Sequence, residues 1–245
     1  MTDRRVGTDA TIRTGATTAL PTQQRRPALA AVLFDMDGTL IDTEKLWDVA
    51  LHELAARLGG VLSPAGRAAM IGGSSASTMR ILQEDLGLPH LDVAEANRFM
   101  TVRMRELFAA GVPWRPGAAE LLDAVRAAGI PTALVTNTGR SLVELALLTL
   151  GRFDAVVPGD EVDRPKPHPD HYLAAAAALG VDAPRCVAIE DSPTGLASAR
   201  GAGCALLAIP NDIPLVGEDI AGATVRASLR EVDLDLLHSL VPAPT

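Results

Sequence analysis

Aromatic residues, cysteine and lysine are all scarce in this chain of 245 amino acids. Aromatic residues make up only 3% of it, and the net charge is −8. A chain without basic runs or aromatic platforms lacks the usual surface for nucleic acids. It also has no apolar run long enough to cross a bilayer, and no signal-type apolar core follows its paired arginines. Neither a nucleic acid nor a membrane is therefore an expected partner, and the expected location is cytoplasmic.

The few cysteines and lysines are informative in themselves. Cys186 and Cys204 each lie in an apolar, strand-like run, which predicts buried free thiols in a reducing compartment. Lys45 and Lys166 are the only lysines beside twenty arginines. Because arginine replaces lysine poorly where a compact charge is needed, each lysine is a candidate for such a role.

The order of predicted elements divides the chain into three parts. Residues 1–27 are polar and without periodicity, which predicts a disordered N-terminal tail. Residues 28–42 and 113–245 contain buried-type strands that alternate with helices, a pattern typical of an α/β fold with a parallel sheet. Residues 43–112 show apolar residues at helical spacing and no strand-like alternation. They are therefore predicted to form a helical module inserted after the first strand.

Serine residues mark three of the helix starts. Ser63 and Ser192 each precede a proline, the pattern of an N-cap followed by proline at the first helical position. Ser141 precedes Glu144 at the spacing of a capping box. A last helix is expected from about Leu229.

The stretch Ala31–Thr39 carries the first chemical signal. Its apolar half reads as a buried strand, and the strand ends on Asp35 and Asp37, followed by Gly38. Side chains at i and i+2 of a strand point the same way, so both carboxylates can serve one site. Ligands of open α/β sheets bind just beyond the carboxyl ends of the strands. A turn rich in Asp and Gly explains the same residues equally well at this point.

Polar residues also follow other strands of the predicted sheet. Thr136 and Asn137 end the second strand, and Glu190 and Asp191 end a later one, while Lys166 lies in a connecting loop. Taken singly, these residues are explained by turn chemistry, a solvated charge or a helix N-terminus. Because the carboxyl ends of parallel strands meet at one edge, their coincidence favours a shared pocket.

The chemistry of this group is complementary. Carboxylates at Asp35, Asp191 and Glu190 offer the hard oxygen ligands that suit Mg²⁺. The hydroxyl and backbone N–H groups after the second strand suit a phosphate, and Lys166 supplies a compact positive charge. Such a set matches phosphoryl transfer, in which positioning and neutralisation of charge do most of the catalysis.

The same residues resemble a known family. In order and spacing, the haloacid dehalogenase superfamily has four motifs similar to Asp35-Met36-Asp37-Gly38-Thr39, Thr136-Asn137, Lys166 in Lys-Pro-His-Pro-Asp, and Glu190-Asp191-Ser192-Pro193. The resemblance spans Leu29 to Ile209 and implies a Rossmann-like parallel-sheet core with an inserted α-helical cap, here residues 43–112. The stretch Asp42–Trp47 resembles the sugar-phosphate phosphatase branch.

The resemblance implies roles for the core residues. Asp35 is the implied nucleophile, which forms an aspartyl-phosphate, and Asp37 is the implied acid for the leaving alcohol and base for the attacking water. Thr136 and the Asn137 amide are the implied phosphate ligands. Lys166 is the implied bridge between the phosphate and Asp35.

The resemblance also implies a metal site. Mg²⁺ is expected on the carboxylates of Asp35 and Asp191 and on the backbone carbonyl of Asp37, with Glu190 in support. Closure of the helical cap over the substrate is expected to exclude water from this site.

The resulting prediction is a Mg²⁺-dependent phosphatase for a small phosphate ester, a sugar or polyol phosphate, in a monomer or weak dimer. Substrate specificity is expected to lie in the cap, at Glu44, Trp47, Gly73 and Ser74.

Two alternatives stay open. The first is a β-phosphoglucomutase-like phosphotransfer, and the second is a regulator that binds a phosphometabolite without turnover. The mutase branch uses a histidine where this chain has Trp47, and an arginine in the first cap loop, which residues 72–77 lack. Asp37 argues against a regulator, because binding alone does not need a second acid.

Overall fold

The computed structural model describes residues 1–2, 29–71, 73–211 and 215–241. The tail predicted for residues 1–27 lies outside the described residues, apart from the first two. Within the described ranges, the helices fall short of the length and hydropathy of a membrane-spanning segment.

A parallel sheet forms the centre of the described chain, as the alternation of elements predicted. Its spatial order is β3-β2-β1-β4-β5-β6. The strand β1 lies between β2 and β4, so that Leu33 is paired with Ala133 on one side and Ala188 on the other. The order of connection reverses at β1, which opens a crevice at its carboxyl end. The six strands are β1 (Ala31–Phe34), β2 (Thr132–Val135), β3 (Ala155–Val157), β4 (Cys186–Glu190), β5 (Ala205–Ala208) and β6 (Ala223–Val225).

In the described part of the chain, four consecutive helices lie between β1 and the rest of the α/β core. They are α1 (Glu44–Arg57), α2 (Pro64–Met70), α3 (Ser75–Asp85) and α4 (Val93–Ala109). The remaining helices follow with the strands: α5 (Ala118–Ala127), α6 (Arg140–Leu150), α7 (Asp170–Leu179), α8 (Pro193–Gly201) and α9 (Leu234–Leu240). The helix expected from Leu229 begins as a short 3₁₀ turn, Leu229–Glu231, and α9 starts after it.

Both faces of the sheet are covered by apolar side chains. Val32 and Phe34 belong to a buried cluster that continues into helices α1 to α6, whereas Ala31 and Leu33 belong to a second cluster with α7 and α8. This division follows from the alternation of side chains along a strand. The second cluster is rich in alanine, with Tyr172 as its one large aromatic residue among the buried members. Because these side chains are small, the helices α7 and α8 can pack close to the strands, and this face of the core needs few aromatic residues to fill it.

The chain leaves and re-enters the core at neighbouring points on either side of helices α1 to α4. Ile41 forms an antiparallel bridge with Trp114. The backbone N–H of Asp42 donates to the carbonyl of Pro113 at 2.9 Å. The two connections therefore form a single paired joint.

Two of the three predicted serine caps are confirmed. Ser63 and Ser192 accept N–H hydrogen bonds at the starts of α2 and α8. The capping box predicted at Ser141 is wrong, because Ser141 lies inside α6, which begins at Arg140, two residues before the predicted start. Its first N–H group donates instead to Asp160 Oδ1 at 2.9 Å, so that the cap comes from the loop after β3.

Gly195, in the first turn of α8, packs directly against the side chain at the end of β4. A Cβ atom built on Gly195 would lie 1.9 Å from Glu190 Oε2. By contrast, a Cβ atom on Gly201, in the last turn of the same helix, would meet Pro169 at 3.4 Å.

This difference predicts opposite effects of the same substitution. We expect Gly195→Ala to lower the free energy of unfolding by about 1–3 kcal/mol, because the buried Glu190 must move to admit a methyl group. Gly201→Ala is the matched control and should be neutral or stabilising, because alanine favours the helix. Urea unfolding measures both variants, and equal losses would contradict the prediction.

Candidate active site

The carboxyl edge of the sheet gathers the polar residues predicted from the four motifs. Six of them line one cavity. The seventh, Glu190, lies outside the lining and accepts a hydrogen bond from Lys166. The structure thus brings together Asp35, Asp37, Thr136, Asn137, Lys166, Glu190 and Asp191.

Lys166 is the centre of this group. Its ammonium donates to Asp35 Oδ1 at 2.7 Å, to Glu190 Oε1 at 2.6 Å and to the Val135 carbonyl at 3.0 Å. Its backbone N–H donates to Asn137 Oδ1 at 3.0 Å. An ammonium carries three protons, so these three acceptors use all of them. Lys166 is a buried residue that joins three neighbouring strands.

Three carboxylates surround this single ammonium. Oxygen atoms of Asp35, Glu190 and Asp191 lie within 4.8 Å of one another, and all three residues are buried. One oxygen, Asp35 Oδ2, is buried with no hydrogen-bond partner. An unpartnered buried carboxylate oxygen is costly unless a ligand satisfies it.

The burial of these charges shifts their pKa values. Burial, followed by repulsion from Glu190, raises the pKa of Asp35 to about 7, although Lys166 opposes the shift. Burial and the charge of Asp35 raise the pKa of Asp191 well above its usual range. Burial works against the charged form of Lys166, but Asp35 and Glu190 outweigh it, so that its pKa is raised. The cluster therefore carries an excess of negative charge that a cation would relieve.

Asp37 lies outside the acidic cluster and accepts four hydrogen bonds. Its Oδ1 atom accepts from Thr43 at 2.5 Å and from the Trp47 indole at 3.3 Å. Its Oδ2 atom accepts from Thr136 at 3.1 Å and from Thr138 at 2.7 Å. The Thr136 hydroxyl thus donates its proton to Asp37. A phosphate that bound this hydroxyl would have to replace Asp37 as the acceptor.

Tyr172, which the sequence analysis missed, and two further residues of the first motif complete the surroundings of the acids. Tyr172 donates to Glu190 Oε1 at 2.6 Å, and Thr39 donates to Asp191 Oδ1 at 3.3 Å. Gly38 has a positive φ of 85°, and a Cβ atom there would lie 2.1 Å from Asp191 Oδ2. Only glycine therefore fits at this point of the first motif.

The cavity over the site has a volume of about 380 Å³, and residues of the helices α1 to α4 form much of its lining. Three of the four residues predicted for substrate contact, Glu44, Trp47 and Gly73, line it. Ser74 does not. It caps α3 by accepting the Ser77 N–H at 3.2 Å, and it borders a separate hollow.

An arginine that the sequence analysis did not identify also lines the cavity. Arg67, on α2, donates from Nη2 to Glu44 Oε2 at 2.8 Å and from Nε to Asp48 Oδ1 at 3.0 Å. Arg67 precedes residues 72–77, the loop in which the mutase branch has its arginine. Periodicity within the seven-residue helix α2 could not show which of its faces meets the cavity.

The site lies at the reversal point of a parallel α/β sheet, beneath a helical segment, which is the position of an enzyme active site in this architecture. Residues 29–203 match the family model described as haloacid dehalogenase-like hydrolase. The chain therefore belongs to the haloacid dehalogenase-like hydrolase family, and the resemblance inferred from the four motifs is confirmed.

Individual relatives agree with this assignment. The chain is 36% identical to protein CbbY of Rhodobacter capsulatus, covering 81% of this chain and 92% of that protein. It is 35% identical to hexitol phosphatase A of Escherichia coli K12, covering 85% and 90%. Its fold matches the crystal structure of CbbY from Rhodobacter sphaeroides in complex with xylulose-(1,5)bisphosphate, with a TM-score of 0.76, 33% identity and coverage of 85% and 98%.

His171 is a buried residue near Lys166 that takes no part in the hydrogen bonds of the site described above. His171 is fully buried, and neither ring nitrogen makes a hydrogen bond of ordinary geometry. Burial and then the charge of Lys166 lower the pKa of His171 from 6.5 to about 4, while the Thr136 backbone and Asp170 oppose the shift. The folded protein therefore holds this ring neutral.

This shift predicts a loss of stability in acid. The pKa of His171 is about 4 in the folded state and 6.5 in the unfolded state. Above pH 6.5 the ring is neutral in both states and does not lower the free energy of unfolding. As the pH falls from 6.5 towards 4, the unfolded state alone takes up a proton, and the free energy of unfolding decreases. Between pH 7 and pH 5 we expect the free energy of unfolding of wild type to fall by on the order of 1–2 kcal/mol more than that of His171→Leu. Urea unfolding at both pH values measures this. The exposed His90→Leu is the control, and a wild-type slope in His171→Leu would refute the prediction.

Proposed function

We propose that this hydrolase is a Mg²⁺-dependent phosphatase for a small phosphorylated metabolite, a sugar or polyol phosphate, and that it acts through an aspartyl-phosphate. The observation that carries the proposal is the group of three buried carboxylates around one ammonium, with Asp35 Oδ2 unpartnered. A relative named hexitol phosphatase A supports the substrate class.

The donor set suits magnesium. Asp35 and Asp191 would hold the ion with their carboxylates, and Asp37 with its backbone carbonyl, because hard oxygen donors are the ligands Mg²⁺ prefers. Glu190 would act in support, since Lys166 and Tyr172 already bond one of its oxygens. When bound, Mg²⁺ supplies positive charge that draws the phosphate to the acids and neutralises charge in the transition state.

The residues of the chain would then divide the reaction between them. The Asp35 carboxylate attacks phosphorus, and the bond from phosphorus to the ester oxygen breaks. Asp37 gives its proton to the departing alcohol, then accepts one from the water that hydrolyses the aspartyl-phosphate and releases inorganic phosphate. Lys166 holds Asp35 in position, and Thr136 exchanges its bond to Asp37 for one to the phosphate. Closure by residues 43–112, which we propose act as the cap, excludes bulk water.

The two free thiols fit a cytoplasmic location. Cys186 and Cys204 are both buried and reduced. Burial raises the pKa of each thiol, to about 11 and about 12, which keeps them unreactive. We therefore propose a structural role for both in a reducing compartment.

Turnover tests the proposal directly. With Mg²⁺ and a hexose 1-phosphate, followed by phosphorus NMR, we expect inorganic phosphate to be released without a hexose 6-phosphate. Asp35→Asn should reduce the rate by at least about a hundredfold, because the amide cannot attack phosphorus. The variant should keep its melting temperature, because it removes one charge from an overcrowded cluster. Accumulation of hexose 6-phosphate would favour the mutase, and normal turnover by Asp35→Asn would refute the nucleophile.

Thermal unfolding tests the metal site separately. Saturating Mg²⁺ should raise the melting temperature by on the order of 5–10 °C, because the ion binds the folded state. Asp191→Asn should abolish most of this increase. The exposed Asp163→Asn is the control and should keep it. If Asp191→Asn responds to Mg²⁺ as wild type does, the metal binds elsewhere.

A further inference from the structure

The cavity has a core end and a wall formed by the helices α1 to α4. At the core end lie the acids, Lys166 and Thr136 described above. The charged residues that these helices contribute to the lining are Glu44 and Arg67, and both also border a neighbouring hollow together with Asp191. This wall would surround whatever the phosphate is attached to.

The arginine of that wall is already paired with two acids. Glu44 accepts from Arg67 Nη2 with its carboxylate at 2.8 Å and with its backbone carbonyl at 3.2 Å, and Asp48 accepts from Nε at 3.0 Å. The side chains of Arg67 and Glu44 are only 14% and 15% exposed, so solvent screens this pair weakly. The Glu44–Arg67–Asp48 cluster therefore carries net negative charge, with Glu44 and Arg67 in the cavity lining and Asp48 outside it.

A second phosphate at this wall would meet an unfavourable environment. It could bind Arg67 only by competing with Glu44 and Asp48, and it would lie close to the Glu44 carboxylate. Lys166 cannot compensate, because its three protons are bound at the core end. A phosphate and a carboxylate that are close together repel strongly in a partly buried site, because little solvent lies between them.

The uncharged residues of the wall suit hydroxyl groups. Ser75 donates to Asn97 at 2.8 Å, and both line the cavity beside Thr78 and Thr101. These side chains offer donors and acceptors without net charge. Glu44 adds a strong acceptor for a hydroxyl proton.

We infer that the Glu44–Arg67–Asp48 cluster restricts the enzyme to phosphate monoesters whose other end is an uncharged polyhydroxyl chain, and that it rejects bisphosphates. This inference rests on the proposed function and specifies its substrate class.

The experiment compares substrates that differ only in a second phosphate. The pairs are fructose 1-phosphate with fructose 1,6-bisphosphate, and xylulose 5-phosphate with xylulose 1,5-bisphosphate, assayed by phosphate release with Mg²⁺. For wild type we expect kcat/KM to favour the monophosphate by at least about tenfold. Glu44→Gln should reduce this preference several-fold, because it removes one negative charge and loosens Arg67.

Two further variants make the result decisive. Glu53→Gln carries the same change on α1 at a glutamate paired with Arg103, at 2.6 and 3.0 Å, outside the cavity lining. It should keep the wild-type ratio. Should Glu44→Gln not fold, Asp48→Asn, whose side chain is half exposed, must shift the ratio in the same direction.

The outcomes separate this inference from the proposed function. A wild-type preference for either bisphosphate, or an equal change of the ratio in Glu53→Gln, would overturn the inference and leave a phosphatase. Release of phosphate from none of the four esters would overturn the proposed function and this inference with it.

Discussion

The triple hydrogen bond of the Lys166 ammonium is the interaction on which the site depends. It joins Asp35 at the end of β1, the Val135 carbonyl at the end of β2 and Glu190 at the end of β4. Burying an ion pair is unfavourable unless its remaining hydrogen bonds are satisfied. Here they are satisfied on the lysine and left incomplete on the acids. The adjacent strand ends are thereby held together, while the three buried carboxylates keep an excess of negative charge over the one ammonium.

Small residues allow the acids to be packed this closely. Gly38 and Gly195 each leave no room for a Cβ atom against a carboxylate, Asp191 in the first case and Glu190 in the second. The alanine-rich face of the sheet serves the same end, because helices α7 and α8 can approach the strands closely. The scarcity of aromatic residues is thus consistent with a core in which backbone segments pack tightly beneath the site.

The fold and the core of the site could be predicted because their signals are local. An apolar run that ends in Asp, Thr or Glu predicts a strand, and it also predicts that the polar side chain lies at the carboxyl end of that strand. The missed features depend on distant partners. The N-terminus of α6 is capped by Asp160, twenty residues away, rather than by the local Ser141. Arg67 reaches the cavity through the packing of a short helix whose sequence contains no strong periodicity.

The paired joint at Ile41 and Trp114 has a mechanical consequence for Asp37. Two of the hydrogen-bond donors to this carboxylate, Thr43 and Trp47, lie on the far side of the joint with the helices, while Thr136 and Thr138 lie in the loop that follows β2. A rotation at the joint would carry away the first pair and leave the second in place. Asp37 is thus held by hydrogen bonds from both sides of the joint, so that its orientation depends on how the helices are placed relative to the sheet.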